Sequence, residues 1–362
     1  MKHARRKSRR ACVRRDRRLK QRKRKWRNQI AASASAPLVF HTRLKREVHV
    51  LRCPAHVNLS KDLVETLRFF EELRRTSAVF RRRLTVDLRP IQSITPAGAL
   101  ALAAELDSWR GRLGMDRLNA IDADEWNPTV RARLREMGFF ELLNAVCAVE
   151  EEVQSKVGDR FLPFINGAGS EGQAAKELRK SIESLGGAIK DRQALYDGLV
   201  EAMTNVQHHA YGQVRTNRNW WMSASVDIKS SRLTVLFLDH GVGIPKTLPK
   251  SDVWEEVRGY LAKRGLDIFS DDARLIEAAV SVERSRSGED FRGNGLKNDI
   301  QGYIESHDAK GKLRIMSGRG QYVFEKDANG REEVVTSKLA RRIQGTFIEW
   351  VIEEFGVNDG QD

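Results

Sequence analysis

The sequence predicts a mixed α/β protein: a small α/β module, then an α/β sandwich of α+β type, behind a disordered basic tail. Three observations predict it. Residues 38–148 alternate strand-like apolar runs with helical ones. Past residue 157, a helix with one polar face is followed by strands that frame two glycine-bearing turns. The excess charge is confined to the first 27 residues.

The tail is settled by charge. Of 64 Lys and Arg and 49 Asp and Glu, residues 1–27 hold 16 and one, which leaves 48 of each in the remainder. The net charge of +15 is thus a property of MKHARRKSRRACVRRDRRLKQRKRKWR, not of the folded body. Such a segment cannot bury enough apolar surface to fold alone. Its chemistry suits nucleic acid or ribosome association through counterion release. It equally suits an anionic membrane surface, or a targeting role, although it has no apolar core segment and Trp26 is its sole aromatic. A start codon assigned too early would also account for it. Ala31–Pro37 (AASASAP) links tail to body, so residues 1–37 form tail and linker.

At 362 residues and 40% hydrophobic composition the chain can bury an ample core, and its length suggests two domains. No run approaches the ~20 apolar residues of a membrane span. Cys12, Cys53 and Cys147 are widely spaced, with no CxxC pair. This pattern fits a reducing cytoplasm, with Cys53 and Cys147 as buried thiols.

In the module, residues 38–148, EVHVLRC (47–53) reads as a strand and DLVETLRFFEELRR (62–75) as an amphipathic helix. RLTVDL (83–88) is a second, buried strand. SITPAGALALAAELDSWRGRL (93–113) starts a helix at Thr95, with Pro96 at the first helical position. DRLNAID (116–122) would be the third strand and NPTVRARLREMGFFELL (127–143) the third helix. A charged linker, 149–156, leads to the second domain, 157–357, and residues 358–362 form a C-terminal tail.

The second domain opens with an edge strand, FLPFING (161–167), and a helix over 169–186. In Leu195–Tyr211, LYDGLVEAMTNVQHHAY, the residues Glu201, Asn205 and His208 fall within about 60° of one another on a helix. Leu195, Leu199, Val200, Met203, Val206 and Ala210 take the opposite arc. A carboxamide oxygen suits a hard cation such as Mg²⁺, and a carboxylate one turn away can orient or deprotonate a water. A surface helix with scattered polar residues would read the same.

Next comes the strand RLTVLFL (232–238), which ends at Asp239, and Gly241 and Gly243 then let the chain turn close to a ligand. An ionised Asp only accepts hydrogen bonds, so it can hold an exocyclic amino group of a base. A hairpin turn is the plainer alternative. RGNGL (292–296) precedes the helical LKNDIQGYIESHD, where its backbone N–H groups could meet phosphates. The insert over 246–291 carries two helices, Ser251–Lys263 and Asp271–Val282, and then Arg284 and Arg286, which are either phosphate contacts or solvated. KLRIMS, GQYVFEK and FIEWVIEE are late strands, with a turn over Asp327–Gly330.

In this order the Leu195–Tyr211 helix, the Asp239 turn, RGNGL and the late Gly-Thr strand GTFIEW (345–350) resemble the GHKL (Bergerat-fold, histidine-kinase-like) ATPases. EAMTNVQHHAY is most similar to the anti-sigma-factor serine kinase branch. The resemblance implies ATP and Mg²⁺ as cofactors. By it, Glu201 is the general base and Asn205 the metal ligand and an ATP contact. It makes Asp239 the adenine acceptor beside Gly241 and Gly243, puts Gly293, Gly295 and Leu296 in the phosphate lid, and gives Thr346 of GTFIEW a further adenine contact. His208 and His209 are left to packing or support. With no phosphoacceptor-type histidine helix and only a dozen residues after Trp350, the expected role is a slow ATPase that acts as a nucleotide-gated regulatory switch. A serine/threonine kinase of the anti-sigma-factor type is the alternative. A nucleic-acid-associated regulator working through residues 1–27 is another. A protein partner or second protomer, as in a homodimer, is implied in each case.

VDLRPIQSITPAGALAL is similar to the core of STAS domains, through Asp87, Leu88, Ile91, Ile94 and Gly98. The serine that such domains present for phosphorylation would fall at Ala97 or Pro96, neither of which has a hydroxyl. The resemblance therefore implies a docking or regulatory module, not a phosphate acceptor.

Overall fold

The structure is a computed structural model that describes residues 48–145, 147, 159–168, 180, 187–188, 219–227, 230–266, 271–287, 310–353 and 356–357. The basic tail, the 149–156 linker, the Glu201/Asn205 helix and the RGNGL segment lie outside the described residues. The described part is mixed α/β, with a predominantly antiparallel sheet. Contacts divide the chain into two compact units. One holds residues up to Arg52 with Glu72–Asp87, and the other holds Cys53–Glu71 with everything from Leu88.

In chain order the elements are β1 (His49–Arg52), β2 (His56–Val57), α1 (Leu63–Phe80), β3 (Leu84–Asp87), β4 (Ser93–Ile94), α2 (Pro96–Arg112), α3 (Pro128–Glu136) and α4 (Phe139–Leu142). There follow β5 (Asp159–Phe161), β6 (Ile165–Ala168), β7 (Gly187–Ala188), β8 (Asn219–Asp227) and β9 (Arg232–Asp239). Then come α5 (Ile244–Thr247), α6 (Trp254–Lys263), α7 (Asp272–Ser287), β10 (Gly311–Lys326), β11 (Glu332–Ile352) and β12 (Gly356–Val357).

Within the smaller unit β1 runs parallel to β3, with His49 opposite Leu84. The His49 ring stacks on Phe80 at 4.3 Å, and burial holds its pKa below the ordinary histidine value. The part of helix α1 in this unit buries Leu73 and Ser77, and the part in the larger unit buries Thr66 and Phe70, at the spacing its sequence predicts.

The larger unit is organised by a six-stranded sheet in the order β10-β11-β9-β8-β5, with β6 also on β8. Every pairing in it is antiparallel. Strand β8, NWWMSASVD, is central, and no strand was expected there. Its residues from Trp220 to Val226 are all buried. In sequence Met222, Ala224 and Val226 alternate with Ser223, Ser225 and Asp227, a strand period that the adjoining Trp220 and Trp221 interrupt, and the structure buries both sets through Val226. Conversely, DRLNAID forms no strand. None of residues 116–122 is buried, and Leu118 donates one backbone bond to Leu143, so no neighbouring strand completes a ladder.

The helix expected over 127–143 is broken. Asn127 caps α3 by accepting from Thr129 and Val130 N–H, and Gly138 at φ 74° then redirects the chain into α4. The side chain of Asn127 does this because an Asn carbonyl can reach the free N–H groups of a first turn. KLRIMS and GQYVFEK are one long strand, β10, kinked by register shifts at Ser317, Gly318 and Gly320. The turn after it forms as expected, with Asp327 Oδ1 accepting from Asn329 and Arg331 N–H.

Both helices of the 246–291 insert are present. Val257 and Leu261 of α6 pack with Leu275, Ala279 and Val282 of α7, and α7 lies along β10. A Cβ on Gly320 would come within 2.5 Å of the α7 backbone, which shows how close that approach is.

Helix α2 differs from an ordinary surface helix. Thr95 caps it by accepting from Gly98 N–H, with Pro96 in the first turn, as predicted. From Ala97 to Asp107 every residue is buried, and the helix packs on β8 and β9. A helix apolar on all sides belongs inside a protein. Gly98 is where β2 crosses it: a Cβ there would lie 2.2 Å from the Val57 carbonyl oxygen. That oxygen is fixed, since it accepts from Thr95 N–H and Val57 pairs with Ile94. Ala is the better helix former by about 1 kcal/mol, yet the overlap outweighs this. Gly98→Ala is expected to lose about 2 kcal/mol of stability in chemical denaturation. An unchanged or raised midpoint would mean that β2 does not cross at that position.

Candidate functional site

The best-formed polar centre among the described residues sits where β9 ends. Sheet pairing sets it: Asp239 lies opposite Trp220 of β8, and the neighbouring Leu238 lies opposite Phe347 of β11. Asp239 is 3% exposed. Its Oδ1 accepts from Gly241 N–H at 2.6 Å, and the Thr346 hydroxyl and backbone N–H also donate to it. Burial pushes the carboxyl pKa up from 3.8 to about 7, against these three donors, which pull it down. Desolvation wins because the charged form has lost bulk water on every side.

Two glycines make this packing possible. Gly345, at φ 70°, precedes Thr346, and a Cβ on it would sit 2.0 Å from the Asp239 carbonyl oxygen. Gly243, at φ 88°, would carry its Cβ 2.6 Å from Ser317 Oγ. Both occupy the left-handed region that side chains rarely enter.

Ser317 is the linchpin on the β10 side. Its hydroxyl donates to the Gly345 carbonyl at 3.0 Å, accepts from Ile244 N–H at 2.9 Å, and lies 3.2 Å from Thr346 Oγ1. Gln344 closes the other side, where its Nε2 donates to the carbonyls of His240 at 3.3 Å and Gly241 at 2.9 Å. The turn is thereby held at both ends. Between the two buried glycines Val242 stands 44% exposed, an apolar face beside a buried acceptor.

The structure therefore brings together Asp239, Gly241, Gly243 and Thr346, which the sequence singled out from two separate segments. Glu201, Asn205, Gly293, Gly295 and Leu296 lie outside the described residues, as do His208 and His209. Among the described residues, no group of three or more His, Cys, Asp and Glu is placed to hold a metal ion. The adenine end of the expected ligand suits what is present: a buried acceptor, and backbone drawn in where a Cβ would intrude.

Sequence reasoning missed Ser317, Gln344 and a second polar layer beneath the turn. In that layer Asp107 of α2 accepts from Trp221 Nε1 at 3.0 Å, Asn166 Nδ2 at 3.3 Å and Arg110 Nη2 at 2.6 Å. Also on α2, Ser108 Oγ lies 2.8 Å from His240 Nδ1, and Glu105 Oε1 lies 3.4 Å from His240 Nε2. The one sequence signal was the presence of acidic residues inside an apolar helix.

Elsewhere, Arg314 of β10 is buried beside Glu349 and donates to the Leu59 carbonyl, which ties the sheet to the chain before α1. Among the described residues, no helix is long and apolar enough to cross a membrane. Comparison with family models, with curated proteins and with solved structures finds no match to this chain.

Proposed function

We propose that this chain is an Mg²⁺·ATP-binding regulatory ATPase of the GHKL type, which uses a STAS-like N-terminal module to pass on its nucleotide state. The observation that carries this reading is the buried Asp239 carboxylate at a strand end, held between a glycine turn and a Gly-Thr strand. An acceptor with that burial suits a ligand that brings its own donor, and an adenine amino group is such a donor. Val242 offers the apolar contact a base plane needs.

Each residue has a role in the proposal. Asp239 accepts from the base, Thr346 orients that carboxylate, and Gly241 and Gly243 keep the backbone close. Asn205 would hold the metal, Glu201 would take a proton from the attacking water, and Gly293, Gly295 and Leu296 would line the triphosphate. The metal supplies charge neutralisation on the phosphates when bound.

The module before it carries no acceptor at the STAS position. Ala97 is buried at the start of α2, and the Thr95 hydroxyl is committed to capping Gly98 N–H. That favours docking over phosphorylation.

The test is ATP turnover with γ-labelled ATP and Mg²⁺. Glu201→Ala is expected to retain ATP binding and lose at least ~100-fold in phosphate release, and Asn205→Ala to lose binding. Label on a polypeptide instead of free phosphate would identify a kinase. Wild-type protein that binds no ATP would overturn the reading.

A further inference from the structure

We infer that Glu105 and Ser108, on helix α2, are positioning residues for adenine recognition and act through His240. This rests on the nucleotide-binding reading above and deepens it, since it gives the N-terminal module a share in choosing the base.

His240 follows Asp239 directly and precedes Gly241, so its backbone is part of the turn that presents the acceptor. The side chain points the opposite way, to α2. Its ring sits 4.8 Å from the Trp221 ring, with Ser108 at Nδ1 and Glu105 at Nε2. A carboxylate accepts only, so Nε2 carries its proton toward Glu105. Nδ1 then accepts from the Ser108 hydroxyl when the ring is neutral and donates to it when charged. The ring is therefore held on both nitrogens by one helix, while its own carbonyl accepts from Gln344.

The mechanical consequence concerns one peptide unit. Asp239 keeps its carboxylate aimed by accepting from Gly241 N–H, two residues on. The rotation of that N–H is set by the backbone of His240, which lies between them. With the imidazole fixed by Glu105 and Ser108, the Asp239–Gly241 turn has one setting. Without them the turn keeps only the Gln344 bonds to its two carbonyls and the carboxylate only the Thr346 donors, so the Gly241 N–H that aims Asp239 is less tightly set. Asp107 of the same helix, bound to Trp221 and Asn166, keeps α2 in register with β8 and β6 while this happens. Movement of α2 would thus be felt first at the base-recognising carboxylate, which the nucleotide reading assigns to the adenine end and not to the phosphates.

That separation gives the experiment. Dissociation constants for ATP and for ITP, which lacks the adenine amino group, are measured by competition against a fluorescent nucleotide on the full chain. Inorganic tripolyphosphate is the probe for the phosphate end. Wild type is expected to prefer ATP to ITP. Ser108→Ala and Glu105→Gln are each expected to shrink that preference by ~5-fold, about one hydrogen bond's worth, with tripolyphosphate competition unchanged. Ser108→Thr, which keeps the hydroxyl, is expected to restore the preference.

A preference unchanged in folded Ser108→Ala and Glu105→Gln would overturn the inference. So would an equal weakening of ATP, ITP and tripolyphosphate, since that is what a purely structural role produces. Wild type that binds tripolyphosphate but does not tell ATP from ITP would remove the inference and leave phosphate binding standing. No binding of any probe would remove the nucleotide reading itself.

Discussion

Asp239→Asn is expected to weaken ATP binding by about 100-fold and, in the same protein, to stabilise the empty fold above neutral pH. The first effect is the loss of a charged acceptor opposite an amino donor, worth ~1.5–3 kcal/mol. The second follows from the direction of the pKa shift. Burial raises the Asp239 pKa from 3.8 to about 7 in the folded state. The folded protein therefore holds this proton more tightly than the unfolded chain does. Below pH 4 the group costs nothing. As pH climbs toward 7 the unfolded chain ionises freely and the folded one does not, so stability falls, and above 7 the loss is complete. At about 1.4 kcal/mol per pH unit the full penalty is on the order of 4 kcal/mol. Asn has no proton to release, so the variant should lack this slope. Urea denaturation at pH 5.5, 7 and 8.5 compares the two. Parallel pH profiles in wild type and variant would show that the carboxyl titrates at its ordinary value. The ligand reads the same group with the opposite sign. Because the ionised form is the better acceptor, ATP affinity should decline as pH falls below about 7, and Asp239→Asn should flatten that dependence.

Gly345→Ala is expected to cost at least about 3 kcal/mol of stability. Here conformation and contact act in one direction. The φ of 70° already penalises any side chain, and the added methyl would lie 2.0 Å from a backbone oxygen of Asp239. A flexible side chain could move aside, whereas the backbone carbonyl of Asp239, a residue paired with Trp220 and preceded by the paired Leu238, cannot. Relief would require β9 and β11 to part where Leu238 faces Phe347. The variant should either fail to fold or fold with Asp239 displaced and ATP binding abolished. A variant that melts like wild type and binds ATP normally would mean that the Gly-Thr strand does not press on the acceptor.

Which of these features the sequence showed depends on how far apart the participants lie. The turn at Asp239, Gly241 and Gly243 was legible because strand, acceptor and glycines are contiguous. Thr346 was found through family resemblance, and Ser317 was not found, although the two face each other across β10 and β11. Nothing local distinguishes Ser317 from any serine at a strand bend. The Ser108–His240 contact spans 132 positions, and periodicity has no reach over that distance. Helix α2 was read correctly from its cap and proline, but its acidic residues pass for a solvated face until a tryptophan and a histidine are seen beside them. Strand β8 was missed although Met222–Asp227 alternates apolar and polar residues, because the adjacent Trp220 and Trp221 break that period at its start. DRLNAID has the alternation without a partner strand.

The burial of α2 along its length carries a consequence for how the protein is made. Translation completes Pro96–Arg112 well before it reaches β8 and β9, which begin at Asn219 and Arg232. At ~5–20 residues per second, the helix waits on the order of ten seconds for the strands that will cover it. During that interval a run of Ala and Leu with no solvated side, and with two carboxylates still unmatched, stands open to water. Synthesis is the period in which this protein is most exposed to aggregation. A nascent chain stalled between residues 112 and 219 is expected to be the species that a holdase chaperone captures.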